Sequence, residues 1–261
     1  STMPNVVTYC RVSSDEQAQK DISIPAQRKA IRISEAALEA TLAEVKVGMT
    51  ETEVEDLLLR NLFSHGADGL SFAPIVAAGD NAAKPHAHAR PDYHLKPGDP
   101  LLIDFGGTYQ GYPADITRTF FVKEVSDYDR AFYETVLAAN ARGREISRPG
   151  ITASAIDDAV LTVLEQSQFA QFSRHKTGHG LGLDVHEAPQ IMRGNEQMLE
   201  PGMVFTIEPM LNAGGRNTRE LADGWTVVTK DRSLSAQWEH MVAVTDDGFE
   251  VLTPWPDGYG D

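Results

Sequence analysis

Four acidic residues stand where acids are costly. Asp104 closes the apolar run Leu101-Leu102-Ile103, and Asp115 follows eleven positions on, in GYPADITRTF. Glu208 ends the apolar stretch Met203–Ile207 and precedes Pro209. Glu239 lies in AQWEHMVAV, where a period of two puts it on the face of Met241 and Ala243. A carboxylate aimed at an apolar layer needs a compensating cation, and only Arg118 stands close in sequence. Three histidines, His175, His179 and His186, fall in HKTGHGLGLDVHEAP, among glycines that disfavour helix and let backbone approach a ligand. His86 stands near the corresponding place in the first half of the chain. Oxygen-rich ligation with limited nitrogen suits Mn²⁺, Fe²⁺, Co²⁺ or Zn²⁺, and no thiolate is near enough for a structural zinc site. Carboxylates bridge readily, so these residues fit a pair of ions about 3.5–4 Å apart, which would activate water for hydrolysis. Spare histidines would donate hydrogen bonds to the intermediate. Residue types and pattern lead to a metal-dependent hydrolase.

The elements that must hold these side chains are legible too. Leu101–Phe120 reads as a β-hairpin with its turn at Gln110-Gly111. That turn sets Asp104 opposite Thr117 and makes Asp115 its diagonal neighbour on one face. The spacing predicts an amphipathic helix over 26–45, carrying Ile31, Leu38, Leu42 and Val45 and ended by Gly48. Thr50 and Glu53 form a capping box that opens a second helix. Ser126 with Asp129, and Thr152, mark the starts of two more. Strands are expected over 71–78, 203–208, 225–230 and 237–245. A short helix after Ser14 should stop before Pro25.

The same order recurs roughly 100 residues later. Gly48-Met49-Thr50 is echoed by Gly150-Ile151-Thr152, and Pro97-Gly98…Ile103-Asp104 by Pro201-Gly202…Ile207-Glu208. No linker separates the copies, so the pattern implies one α+β domain built as two pseudo-symmetric halves. The repeat pairs Asp104 with Glu208 and suggests Asp115 as the partner of Glu239.

With 38 acidic against 23 basic residues, the chain lacks the basic face that a nucleic-acid surface requires. One cysteine, Cys10, leaves no internal disulfide. The N-terminus has no basic region followed by an apolar one, and no run of about 18 apolar residues exists. A cytoplasmic protein that neither binds nucleic acid nor enters a membrane is expected.

These motifs resemble the pita-bread metallopeptidases, the family of methionine aminopeptidases and Xaa-Pro peptidases. The resemblance covers about residues 26–253. It rests on the two hairpin aspartates, HGLG followed by HEAP, TIEP, and SAQWEH. It implies an α+β pita-bread fold and two divalent metal ions held by Asp104, Asp115, His179, Glu208 and Glu239, with Asp115 and Glu239 bridging. It further implies that Glu208 assists proton transfer and that His86 and His186 hold the scissile carbonyl. His175 and Trp225 would contact the substrate, a peptide or protein N-terminus. AAGDNAAKPHAHA, GYPADITRTF and HKTGHGLGLDVHEAP resemble Xaa-Pro peptidases, whereas the tail from Asp223 resembles methionine aminopeptidases. Pro85 stands where methionine-type enzymes carry cysteine, and Val185 where they usually carry an aromatic. Gln237 stands where Xaa-Pro enzymes usually carry arginine. The expectation leans to Xaa-Pro specificity, with methionine removal as the alternative and a non-catalytic binding module as a third. Residues 1–25 read as an N-terminal extension and 254–261 as a tail, in a monomer or homodimer. YCRVSSDEQ resembles the opening of serine recombinases, with Ser13 at the nucleophile's place, but the likeness ends within about 20 residues and nothing downstream supports it.

Overall fold

The computed structural model describes residues 17–84, 87–171, 175–212, 218–220, 227–229 and 235–255. Its elements repeat as the sequence does. The first half opens with helices α1 (Gln17–Glu44) and α2 (Glu51–Ser64), the second with α3 (Asp127–Ile146) and α4 (Ala153–Gln166). The Thr50 side chain accepts from Glu53 N while Glu53 reaches back to Thr50 N, the reciprocal cap expected from the sequence. Thr152 caps α4, and Ser126 caps α3.

Each helix pair covers an antiparallel sheet. In the first half the strand order is Ile75–Ala78, Pro100–Phe105, Ile116–Phe121. In the second, Gly178–Gly180, Val204–Ile207 and His240–Val244 take the corresponding central places, flanked by Glu187–Ile191 and Phe249–Val251. The turns match as well. Gly48 and Gly150 adopt φ of 91° and 78°, and their amides donate to Leu95 O and Leu199 O. One core packs α2 and Leu38 of α1 against the first sheet, and another packs α3 and α4 against the second. A third joins the halves, setting Ala30 and Ile31 of α1 against Val204, Met241 and Leu252. The two halves thus pack directly against each other.

Three local expectations need correction. Helix α1 does not stop before Pro25 but runs through it. Proline removes its own amide donor and crowds the carbonyl four residues back, but the buried stripe Ala26, Ala30, Ile33, Ala37 and Leu38 holds the helix beyond it. The hairpin keeps the expected register, Asp104 opposite Thr117 and Tyr109 opposite Tyr112, around Gln110 and Gly111 at φ 51° and 82°. Its second strand is nevertheless broken at Ala114-Asp115. Gly106 approaches so closely there that a Cβ would lie 1.8 Å from Ala114 O. Beyond this crossing, Gly107–Tyr109 leaves the main sheet and pairs with Gly69–Leu70. The strand expected over 237–245 is broken in the same way at Trp238-Glu239.

Register also changes the pairing of acids. Ile207 pairs with His240 and Met210 with Gln237, so Glu208 faces Glu239 across the break. In the first half Asp104 faces Thr117. With Asp104 equivalent to Glu208, the counterpart of Glu239 is Thr117, and that of Asp115 is Gln237. The halves meet along this seam: Glu239 N donates to Thr117 O at 3.1 Å, and Gln237 N to Thr119 Oγ1 at 3.2 Å.

Candidate metal centre

The five expected ligands converge from five pieces of chain. Asp104 projects from a paired strand. Asp115 and Glu239 occupy the two strand breaks, where the backbone is free to turn a carboxylate inward. Glu208 follows the last residue of Val204–Ile207, and His179 is the middle residue of Gly178–Gly180. Gly178 has to be glycine, because a Cβ would sit 1.9 Å from Thr206 O. His179 Nε2 lies 3.2 Å from Glu208 Oε1 and 3.5 Å from Asp115 Oδ2. Ligand atoms of Asp104, Asp115 and Glu239 lie within 4.8 Å of one another, as do those of His179, Glu208 and Glu239. A third such group joins Asp115 and His179 to His186.

Small polar groups orient this set. His179 Nδ1 lies 3.0 Å from Gly180 O, and donation to that carbonyl leaves Nε2 as a lone pair facing the acids. Thr117 Oγ1 donates to Glu239 Oε2 at 2.8 Å. Thr206 Oγ1 and Gln237 Nε2 donate to the two oxygens of Glu208, at 3.2 and 3.1 Å. Thr206 Oγ1 also accepts from His179 N, linking two ligands through one hydroxyl. Reading the sequence for ionisable groups misses both threonines. The one signal is for Thr117, which the hairpin register sets opposite Asp104.

The acids have no cation of their own among the described residues. Arg118, fully buried, turns away from the carboxylates. It donates to Thr117 O, Thr253 O, Trp255 O and the carbonyl of Glu239, and stacks 4.5 Å from the centre of the Trp238 ring. Burial lowers its pKa to about 10. Asp104 and Asp115 are pushed well above the usual carboxylate range, by loss of solvation first and then by repulsion from Glu239. Glu239 rises to about 8 for the same reason, with Glu208 the main repelling charge. Asp104 Oδ1 and Glu239 Oε1 are buried without any hydrogen-bond partner. Native interiors do not leave carboxylate oxygens this way unless something else satisfies them. The donor set, four carboxylates and one imidazole, fits divalent cations.

The other expected site residues divide. His186 is exposed, and its ring lies 4.3 Å from that of His179, at the rim of the centre. His175 is exposed and falls outside the cluster, lining a depression with Asp157, Leu161 and Met192, yet close enough to feel the charge of Glu208. His86, Trp225 and Ser13 lie outside the described residues.

The fold and this cluster define a class, the pita-bread metallopeptidases. The structure superposes on the X-Pro aminopeptidase of Thermotoga maritima with a TM-score of 0.79 at 33% identity, over 90% of this chain and 61% of that one. The methionine aminopeptidase of Rickettsia prowazekii also gives 0.79, at 31% identity over 92% of this chain and 99% of that one. In sequence, methionine aminopeptidase 1 of Bacillus subtilis is 35% identical over 87% of this chain and 94% of its own length. The chain belongs to metallopeptidase family M24, whose model matches residues 26–246, and with it to the metal-dependent exopeptidases. It spans about six-tenths of the length of the Thermotoga relative. Among the described residues no helix is long and apolar enough to cross a membrane.

Proposed function

We propose that the chain hydrolyses the N-terminal bond of peptides at a two-metal site, with Xaa-Pro specificity. What carries the metal-dependent part is the pair of buried, partnerless carboxylate oxygens inside a five-ligand cluster. Two divalent ions, of Mn, Co, Fe or Zn, would supply water activation and polarisation of the scissile carbonyl there. Asp104, Asp115, His179, Glu208 and Glu239 would hold them. Asp115 and Glu239 each share ligand geometry with two of the three groupings, which suits bridging. Of the two acids beside His179, Glu208 is the more accessible, and a carboxylate placed there could take and return a proton. His186, at the rim, would donate to the scissile carbonyl together with His86. His175 and Trp225 would contact the rest of the peptide.

The Xaa-Pro reading rests on the segments around the site. Val185, at the place where methionine-type enzymes usually carry an aromatic, is a small aliphatic side chain packed against the central core. Methionine removal is the second reading. It is favoured by the Gln237–Glu208 hydrogen bond, at a position where Xaa-Pro enzymes usually carry arginine, and by the nearly full-length match to methionine aminopeptidases. A binding module without catalysis is the third. We assign 26–253 to the catalytic domain, 1–25 to an extension and 254–261 to a tail, in a cytoplasmic monomer or homodimer. Hydrolysis of Ala-Pro or Met-Pro peptides should exceed that of Met-Ala-Ser when Mn²⁺ or Co²⁺ is added. Preference for Met-Ala-Ser overturns the specificity; no turnover of any of them with metal present favours the binding module.

A further inference from the structure

The strand break that carries Glu208 and Glu239 is held open by a residue outside it. Asn140 lies in the middle of α3 and is fully buried. Asparagine is a poor helix former, and a buried one needs partners for both ends of its amide. Its Nδ2 donates to Ile207 O at 2.7 Å and to Trp238 O at 3.3 Å. These are the carbonyls immediately before Glu208 and Glu239. Pro209, inside the break, has no N–H to contribute. On the other side, Asn140 Oδ1 accepts from Arg144 Nε at 2.9 Å and faces His240 Nδ1 at 2.8 Å. Three of these four contacts reach one gap, and the fourth, with Arg144, stays on the helix.

The repeat sharpens the point. Counted back from the paired glycines Gly150 and Gly48, the place of Asn140 in α1 is taken by Leu38, an ordinary core residue. Only the second-half break sets two carboxylates face to face; at the first-half break the covering helix offers one long contact, from Gln27 Nε2 to Pro113 O at 3.5 Å.

We infer that Asn140 is a positioning residue for the metal centre: by tying the backbone ahead of Glu208 to the backbone ahead of Glu239, it fixes their separation and thus the affinity for the ion between them. The inference rests on the two-metal reading, which Mn²⁺ binding by the unaltered protein tests by itself. Asn140→Asp keeps the shape and the Oδ1 contacts but deletes both donors. Calorimetric titration with Mn²⁺ should show at least a tenfold loss of affinity, a change typical of groups that orient metal ligands. The kcat should fall while KM changes less than twofold, with the circular dichroism of the metal-free protein retained. Asn61→Ala serves as the comparison. Asn61 is a buried asparagine of α2 that donates to Thr41 Oγ1, far from the break. That variant should melt earlier yet bind Mn²⁺ within twofold of the unaltered protein. Affinity within threefold for Asn140→Asp, or an equal loss in Asn61→Ala, overturns the inference. Failure of both Asn140→Asp and Asn140→Ala to fold also overturns it, since Asn140 would then serve the fold rather than the site.

Discussion

Asp115 shows how little backbone the site requires and how much solvation it gives up. The residue sits in a two-residue gap between strands, 4% exposed, with its carboxylate raised by burial and by the neighbouring acids. Replacing it with alanine removes one repelling charge and one bridging ligand together. Asp115→Ala should therefore fold with a metal-free melting temperature no lower than that of the parent, yet lose bound metal and at least about a hundredfold in kcat. Elemental analysis with steady-state kinetics checks this; unchanged turnover refutes the bridging role. Sequence alone identified all five clustered residues, because a carboxylate on an apolar face is conspicuous. It did not identify Thr117, Thr206 or Asn140. Hydroxyls and amides are ordinary core and strand residues until their partners are known.

At the scale of elements, the two broken strands are what bring the acids inward. Hydrophobic alternation and the Gln110-Gly111 turn were enough to place Asp104 opposite Thr117, since turn position fixes register. The break itself was not legible. It depends on how closely Gly106 meets Ala114 across the hairpin, a contact no local pattern records. For the same reason the sequence paired Asp115 with Glu239, whereas register pairs Thr117 with Glu239. Gly106→Ala should be poorly tolerated, because the new Cβ would meet backbone rather than a movable side chain. A loss of several kcal/mol in urea unfolding is expected, whereas glycine-to-alanine at an unstrained position stabilises by up to about 1 kcal/mol. A variant as stable as the parent would mean the crossing can relax.

For the molecule as a whole, the repeated halves build a cage whose acids repel one another unless a cation is present. The metal-free protein should carry that strain as a pH dependence. An unfolded glutamate titrates near 4, while folded Glu239 titrates at about 8. Below pH 4 both states hold the proton and nothing is lost. As pH rises toward 8 the unfolded chain releases a proton that the folded chain must keep, so stability falls. His240, held neutral by burial, contributes the opposite slope at lower pH, so the clean window is pH 7 to 8. Chelator-treated protein should lose on the order of 1 kcal/mol across that unit in urea unfolding, and excess Mn²⁺ should abolish the loss. A flat or rising profile without metal would show the carboxylates to be ionised and otherwise compensated. The central claim is tested most directly by returning Mn²⁺ to chelator-treated protein while following heat and peptide turnover together. The account predicts saturation at two ions per chain, with turnover absent beforehand and restored as they bind; no bound Mn²⁺, or turnover indifferent to the chelator, would contradict it.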